Sequence, residues 1–80
     1  MIIKVLGSGC ANCHKLEALV HQAVERLGID AEVVNVTDVA EIMAYGVMST
    51  PALVVDEGLK LAGRVPSLDE VVTVLERAGA

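Results

Sequence analysis

The chain contains only two cysteines, Cys10 and Cys13, and they are its residues best suited to chemistry. At C-x-x-C spacing, two thiols can close a disulfide within one helical turn, or they can hold one metal ion between them. The pair stands where a β-like run ends and a helix-like run begins. Which of the two chemistries applies therefore depends on the fold around the pair.

The elements around the cysteines alternate regularly along the chain. Short β-branched apolar runs predict strands, and apolar residues at helical spacing predict helices. Glycines and capping residues mark several of the predicted ends. The predicted strands are Ile2–Leu6, Ala31–Val36, Ala52–Val55 and Leu59–Ala62, and the predicted helices run from Cys10 to Leu27, from the N-cap Asp38 to Tyr45 and from the N-cap Ser67 to Gly79.

Short motifs predict how these elements begin. Residues 7–9 (Gly-Ser-Gly) predict a turn between the first strand and the first helix. Asp38 with Glu41, and Ser67 with Glu70, have the spacing of capping boxes at helix N-termini.

The order β-α-β-α-β-β-α predicts one α/β domain that spans residues 1–80. The first two strands are joined by a helix, so we expect them to be parallel through a right-handed crossover. The last two strands flank residues 56–58 (Asp-Glu-Gly), which predict an antiparallel hairpin with a tight turn. The expected architecture is a mixed four-stranded sheet covered by three helices.

Composition narrows the possible functions. With 54% hydrophobic residues and Tyr45 as its single aromatic, the chain is expected to form a small aliphatic core in which Met43 and Met48 are packed. A net charge of −5 with six scattered basic residues argues against a nucleic-acid partner. No targeting segment and no apolar run of about 20 residues is visible, so we expect a cytoplasmic protein with no membrane partner. We also expect the protein to be a monomer.

The predicted helix start gives the two sulfurs different environments. Cys10 lies at or near the N-cap, where unpaired N–H groups and the helix dipole favour a thiolate and lower its pKa below ~8.5. Cys13 lies one turn later on the apolar stripe, so it should be more buried and more protonated. One exposed, activated sulfur beside a sheltered one is the asymmetry that thiol–disulfide exchange needs.

A second motif, Ser49-Thr50-Pro51, stands immediately before the third predicted strand. Together with the cysteine pair and the element order, it makes the chain resemble the thioredoxin-like superfamily. The closest resemblance is to the short thioredoxin-like or glutaredoxin-like redox-active disulfide proteins of archaea and bacteria. Residues 9–13 (Gly-Cys-Ala-Asn-Cys) and residues 45–55 (Tyr-Gly-Val-Met-Ser-Thr-Pro-Ala-Leu-Val-Val) carry it most strongly. The resemblance implies a thioredoxin-like fold over nearly the whole chain.

The resemblance also implies a role for each residue of the two motifs. Cys10 would be the attacking cysteine and Cys13 the resolving one. Pro51 would be the cis-proline beside the disulfide, and the backbone of Thr50 would pair with a bound substrate segment. The intervening dipeptide, Ala11 and Asn12, would complete the substrate-binding surface.

By the same resemblance, the chain would be a thiol–disulfide oxidoreductase that reduces protein or small-molecule disulfides. It would need no cofactor and no metal beyond its own dithiol, and a reductase or small thiol would recycle it. The first strand lacks the acidic residue that helps to deprotonate the resolving thiol in thioredoxin, since Lys4 is its only charge. His14, Glu17 and water are the alternatives for handling that proton.

Two other functions stay open at this point. Residues 2–13 also resemble the opening of heavy-metal-associated domains, and two thiolates suit Cu(I) or Zn(II). Those domains have the order β-α-β-β-α-β, whereas this chain is predicted to end in a capped helix. A non-catalytic thioredoxin-like module, whose binding is controlled by its disulfide, would carry the same motifs as an enzyme.

Overall fold

A computed structural model describes residues 1–7 and 9–79. The predicted order β-α-β-α-β-β-α is confirmed, and the predicted ends of the elements are correct to within one or two residues. Ser8, in the predicted turn, and Ala80 lie outside the described residues. The strands are β1 (Ile2–Leu6), β2 (Glu32–Val36), β3 (Ala52–Val55) and β4 (Gly58–Ala62), and the helices are α1 (Ala11–Leu27), α2 (Val39–Ala44) and α3 (Leu68–Arg77).

The four strands form one mixed sheet in the order β2-β1-β3-β4. β1 runs parallel to β2 and antiparallel to β3, and β3 and β4 form the predicted antiparallel hairpin. At the end of β1, Leu6 pairs with Val36 on one side and with Ala52 on the other. The segment that follows β1 therefore emerges between the end of β2 and the start of β3.

The aliphatic core is divided between the two faces of the sheet. Successive residues of a strand point to opposite faces, so β1 contributes to both clusters. The first cluster lies between the sheet and helices α1 and α3, and the second lies on the α2 face. Buried members of the first include Ile3, Val5, Leu16, Val20, Leu53, Val71 and Leu75, and those of the second are Leu6, Val36, Ile42, Val47, Ala52 and Val54.

Helix α1 packs on the first cluster and carries the cysteine pair at its N-terminal end. Its C-terminal cap is Gly28, whose φ of 65° places it in the left-handed region that glycine adopts without steric cost. The Gly28 N–H donates to the Val24 carbonyl at 3.0 Å. No helix within residues 1–7 and 9–79 has the length and apolar character needed to cross a membrane.

The two predicted capping boxes form only in part. Asp38 and Ser67 both accept a backbone N–H of their helix, at 2.9 and 3.2 Å. In the described part of the chain, however, neither Glu41 nor Glu70 returns a hydrogen bond to its N-cap residue. The carboxylate of Glu70 instead accepts from Arg64, which lowers the pKa of Glu70.

The β3–β4 turn is one residue shorter than predicted. Asp56 and Glu57 form it alone, both with positive φ (47° and 69°), as in a two-residue hairpin turn of type I′. Gly58, predicted to belong to the turn, begins β4 opposite Val55. Asp56 also accepts the backbone N–H of Ile2 at 2.8 Å, which ties the turn to the start of β1.

Lys4, the only charge of β1, lies on the α2 face. Its ammonium group donates to the Tyr45 hydroxyl at 2.6 Å and to the Glu57 carboxylate at 2.6 Å. These two hydrogen bonds raise the pKa of Lys4, and the one to Glu57 lowers the pKa of that carboxyl. Lys4 therefore joins β1, α2 and the β-turn on the side of the sheet opposite α1.

Candidate redox site

Cys10 and Cys13 form a disulfide at the start of α1, with their Cα atoms 5.1 Å apart. Cys10 is the N-cap residue, with extended backbone angles, and its sulfur accepts the backbone N–H of Cys13 at 3.1 Å. Cys10 is exposed, whereas Cys13 is only 5% exposed. The difference in burial predicted for the two sulfurs is therefore present in the structure.

The position of Cys10 favours negative charge on its sulfur. The first N–H groups of a helix have no partner within the helix, and they point toward the N-cap side chain. The helix dipole acts in the same direction, and the first turn of α1 contains no acidic residue to oppose it. We therefore expect the pKa of Cys10 in the reduced chain to lie below that of a free thiol.

Gly7 allows β1 and α1 to approach each other beside the disulfide. It is buried, and its N–H donates to the Val36 carbonyl at 2.9 Å. A Cβ atom on Gly7 would overlap the sulfur of Cys13, and it would lie 3.1 Å from the Cys13 Cβ and 3.9 Å from the Thr50 Cβ. Because Gly7 has no side chain, only its backbone lies between Cys13 and Thr50.

The Thr50–Pro51 segment lies at the start of β3, and its peptide bond is cis. Pro51 is buried, and its carbonyl accepts the Gly63 N–H at 2.9 Å, whereas Thr50 is exposed. Sheet register brings this segment next to Gly7, because Leu6 of β1 is paired with Ala52 of β3. The two sequence motifs, distant along the chain, meet at one edge of the molecule.

The remaining predicted site residues lie in the first turn of α1. Ala11 and Asn12 are both exposed, directly after the N-cap cysteine. Their side chains are therefore accessible beside the exposed sulfur of Cys10. A role in substrate binding for these two residues stays a prediction.

An exposed apolar groove adjoins Thr50. It encloses about 340 Å³ between α2 and the segment before Pro51, and it is lined by Val39, Ile42, Met43, Val47, Met48 and Thr50. Met48 is 96% exposed and Met43 is 65% exposed. The prediction that these two methionines pack in the core is wrong, because no element covers them in the described part of the chain.

A second, smaller cleft opens beside Cys13 on the α1 face of the sheet. It encloses about 70 Å³. Both side chains predicted as alternatives for proton handling, His14 and Glu17, line this cleft. Its other lining residues are Val5, Gly7, Gly9, Cys13, Asn35 and Thr37.

The described residues around the cysteine pair do not form a larger metal-binding group. Across residues 1–7 and 9–79, no three His, Cys, Asp or Glu side chains are grouped so that they could hold a metal ion.

Comparison with known proteins identifies the family. The family model for the thioredoxin domain matches residues 1–76. The chain belongs to the thioredoxin family. Two similar proteins are both called thioredoxin. The protein from Methanothermobacter thermautotrophicus is 43% identical over 75 residues, which cover 94% of this chain and 97% of that protein. The protein from Methanocaldococcus jannaschii is 42% identical over 71 residues, 89% of this chain and 81% of that protein.

Membership of the thioredoxin family confirms the resemblance and the predicted fold class. Together with the Cys10–Cys13 disulfide, it supports thiol–disulfide oxidoreductase chemistry. The chain differs from the thioredoxin pattern described above in the charge of β1. Lys4 lies on the face opposite Cys13, bonded to Tyr45 and Glu57, so β1 supplies no acid or base to the buried thiol.

Proposed function

We propose that this thioredoxin-family chain reduces disulfide bonds in proteins by means of the Cys10–Cys13 couple. The observation that supports the proposal is the difference in exposure between the two cysteines at the start of α1. Cys10 is the exposed N-cap residue, and Cys13 is buried one turn later. An exposed thiolate can attack a partner disulfide, and a sheltered thiol within reach can then release the partner. The short distance between the two Cα atoms, 5.1 Å, lets both steps occur with α1 intact.

The proposed reaction transfers two electrons from the dithiol to the substrate. The Cys10 thiolate attacks one sulfur of the substrate disulfide, forms a mixed disulfide and expels the other substrate sulfur as a thiolate. Cys13 then loses its proton and attacks the Cys10 sulfur, which expels the second substrate thiolate. The products are a reduced substrate and the Cys10–Cys13 disulfide seen in the structure.

The surface around Cys10 suits an extended protein segment. Thr50 is exposed beside the site, so we propose that its backbone pairs with the substrate, with Pro51 holding this segment against the sheet. Ala11 and Asn12 would contact the substrate on the other side of Cys10. The apolar groove next to Thr50 would receive an apolar side chain adjacent to the substrate disulfide.

Met48 gives a direct test of the groove. Met48→Asp is expected to raise the KM for a protein disulfide by about tenfold, because about 1.4 kcal/mol of apolar contact would be lost. The rate with bis(2-hydroxyethyl) disulfide, which is too small to fill both sites, should change little. Steady-state kinetics with the two substrates make this comparison.

Leu59→Asp is the matched control for Met48→Asp. It makes a similar change from an exposed apolar side chain to a carboxylate, but on β4 near the far end of the hairpin. If both variants raise the KM equally, general charge repulsion and not the groove determines the affinity.

The partners implied by this proposal are disulfide-containing proteins and a reductase or small thiol that returns the couple to its dithiol form. No cofactor takes part in the steps described. A reducing compartment such as the cytoplasm would keep the dithiol form available.

Multiple turnover is the experiment that tests the proposed function. The chain is supplied in catalytic amount with a model protein disulfide and excess dithiothreitol, and substrate reduction is compared with the reaction without the chain. We expect many turnovers per molecule and a midpoint potential close to that of thioredoxin (~−270 mV) and not to that of DsbA (~−120 mV).

Other outcomes would point to the other functions. Reduction of one equivalent and no more would overturn the enzyme proposal in favour of a redox-controlled binding module. Stoichiometric binding of Cu(I) or Zn(II) by the reduced chain, without turnover, would overturn it in favour of a metal carrier.

A further inference from the structure

The buried thiol of Cys13 must lose its proton before it can resolve a mixed disulfide. Cys13 is 5% exposed, and a low-dielectric environment disfavours the thiolate. The helix N-terminus that assists Cys10 already directs the Cys13 N–H toward the Cys10 sulfur at 3.1 Å. A group near Cys13 is therefore needed to take the proton.

Glu17 is well placed to take it. It lies four residues after Cys13 in α1, so the two side chains share one face of the helix. Both line the small cleft beneath the disulfide. The volume of that cleft, about 70 Å³, is sufficient for one or two water molecules.

The Glu17 carboxylate is held in place from two sides. Its Oε1 accepts from Asn35 Nδ2 at 3.0 Å, and it lies 3.7 Å from His21 Nε2. Both contacts use the same oxygen, so within the described residues Oε2 has no hydrogen-bond partner. With 29% of its side chain exposed, Glu17 is half-buried and can pass a proton on to solvent.

Among the described residues, few other polar groups line the cleft or contact Glu17. From α1, His14 lines the cleft and His21 lies at the outer side of the carboxylate. From β2 and the residue after it, Asn35 and Thr37 are neutral. β1 contributes only Val5 to the cleft, because the side chain of Lys4 points to the α2 face. Glu17 is thus the only carboxylate among the described residues that line the cleft.

We propose that Glu17 accepts the Cys13 proton through water in this cleft during resolution of the mixed disulfide. The inference rests on the proposed function and adds a residue to it. The Cys13 S–H proton passes by way of water to Glu17, and the Cys13 sulfur forms a bond to the Cys10 sulfur. The bond between Cys10 and the substrate sulfur breaks, and the substrate leaves as a thiolate. Glu17 then returns its proton to solvent.

A two-phase reaction separates this step from the initial attack. When the reduced chain reacts with less than one equivalent of the aromatic disulfide DTNB, Cys10 releases one coloured thiolate at a rate that depends on DTNB concentration. Cys13 then releases the second at a rate independent of that concentration. We expect Glu17→Gln to slow the second phase at pH 7 by about a hundredfold, the lower end of the range for a general base, and to leave the first phase within about threefold.

The pH profile distinguishes proton transfer from a change in structure. In Glu17→Gln the second phase should accelerate with pH and approach the wild-type rate where Cys13 ionises without help. A merely structural role for Glu17 would leave a constant deficit at every pH. Such a constant deficit would overturn the proposal.

Two further variants complete the experiment. Glu25→Gln removes the same charge from an exposed position of α1, and both phases should match those of the wild type. If Glu17→Gln leaves the second phase unchanged, or if His14→Gln slows it instead, Glu17 does not accept the proton, although the proposed function stands. If the wild type shows no second phase at all, the proposed function itself fails.

Discussion

Cys10→Ser will abolish disulfide exchange, whereas Cys13→Ser will leave the first attack intact and trap the chain as a mixed disulfide. The difference follows from exposure, because only the sulfur of Cys10 is accessible to a protein disulfide, while that of Cys13 is buried. A serine hydroxyl stays protonated near neutral pH and cannot replace the thiolate. Insulin reduction measures exchange, and mass spectrometry of non-reduced samples detects the trapped species.

The two variants serve as controls for each other, since each removes one sulfur and leaves the other cysteine in place. Both should retain the far-ultraviolet circular dichroism of the reduced wild type. If both reduce a model protein disulfide as fast as the wild type, the proposed mechanism is wrong. If Cys13→Ser is inactive and Cys10→Ser is the variant that becomes trapped, the roles of the two cysteines are reversed.

Gly7→Ala will weaken the disulfide. An alanine Cβ at this position would overlap the Cys13 sulfur and lie 3.1 Å from the Cys13 Cβ. Overpacking of this kind costs about 1–3 kcal/mol. The cost should be greater in the oxidised chain, because the bond to Cys10 fixes the Cys13 sulfur, whereas a free thiol can rotate away. The midpoint potential should therefore rise, by up to about 60 mV if the reduced chain bears none of the cost, as measured by equilibration with glutathione.

Gly58→Ala is the matched control for Gly7→Ala. Gly58 also lacks a positive φ, and the nearest atom to its new Cβ would be the Val55 carbonyl oxygen at 3.4 Å. This position lies at the far end of the β3–β4 hairpin, so the potential should stay within a few millivolts of the wild type. An unchanged potential in Gly7→Ala would show that Cys13 can move aside at no cost.

Much of the fold could be predicted because its signals are local. The β-branched run of β1 and the apolar stripe of α1 are each complete within a single segment. The capping residues Asp38 and Ser67 also act on the adjacent turn, so the starts of α2 and α3 were predicted closely. The hydrogen bonds expected from the glutamates of the two capping boxes are not formed in the described part of the chain. For Glu70 the reason is that Arg64, which lies outside α3, donates to its carboxylate.

The features that sequence could not reveal depend on which parts of the chain face each other. Alternation along β1 shows that Lys4 and Val5 face opposite sides, but not that Lys4 faces α2. Met43 and Met48 are apolar and were predicted to be buried, yet the structure leaves them exposed beside Thr50. The contact of Glu17 with Asn35 requires the parallel register of β1 and β2.

Gly7 is the site residue that sequence reasoning could have found. A glycine directly after a buried strand, close in sequence to a reactive pair, often marks a close approach of another part of the chain. The sequence of residues 7–9 by itself indicates only a turn. What Gly7 approaches, Cys13 on one side and Thr50 on the other, becomes visible only once α1 and β3 are placed.

The short span of the disulfide has a consequence for how folding and oxidation are linked. Its cysteines are three positions apart, so closing the ring removes little freedom from the unfolded chain, about 2 kcal/mol in the chain-entropy model. In a thermodynamic cycle, that amount corresponds to about 40 mV between the potentials of the folded and unfolded chains. Loop closure thus accounts for only a few tens of millivolts, and any larger difference arises from contacts of the folded chain, such as those of the cysteines with Gly7 and with the N-terminus of α1. Because folding stability and midpoint potential are linked, a mutation that destabilises the oxidised chain more than the reduced one, as expected for Gly7→Ala, raises the potential in proportion. A mutation that weakens both forms equally leaves the potential unchanged.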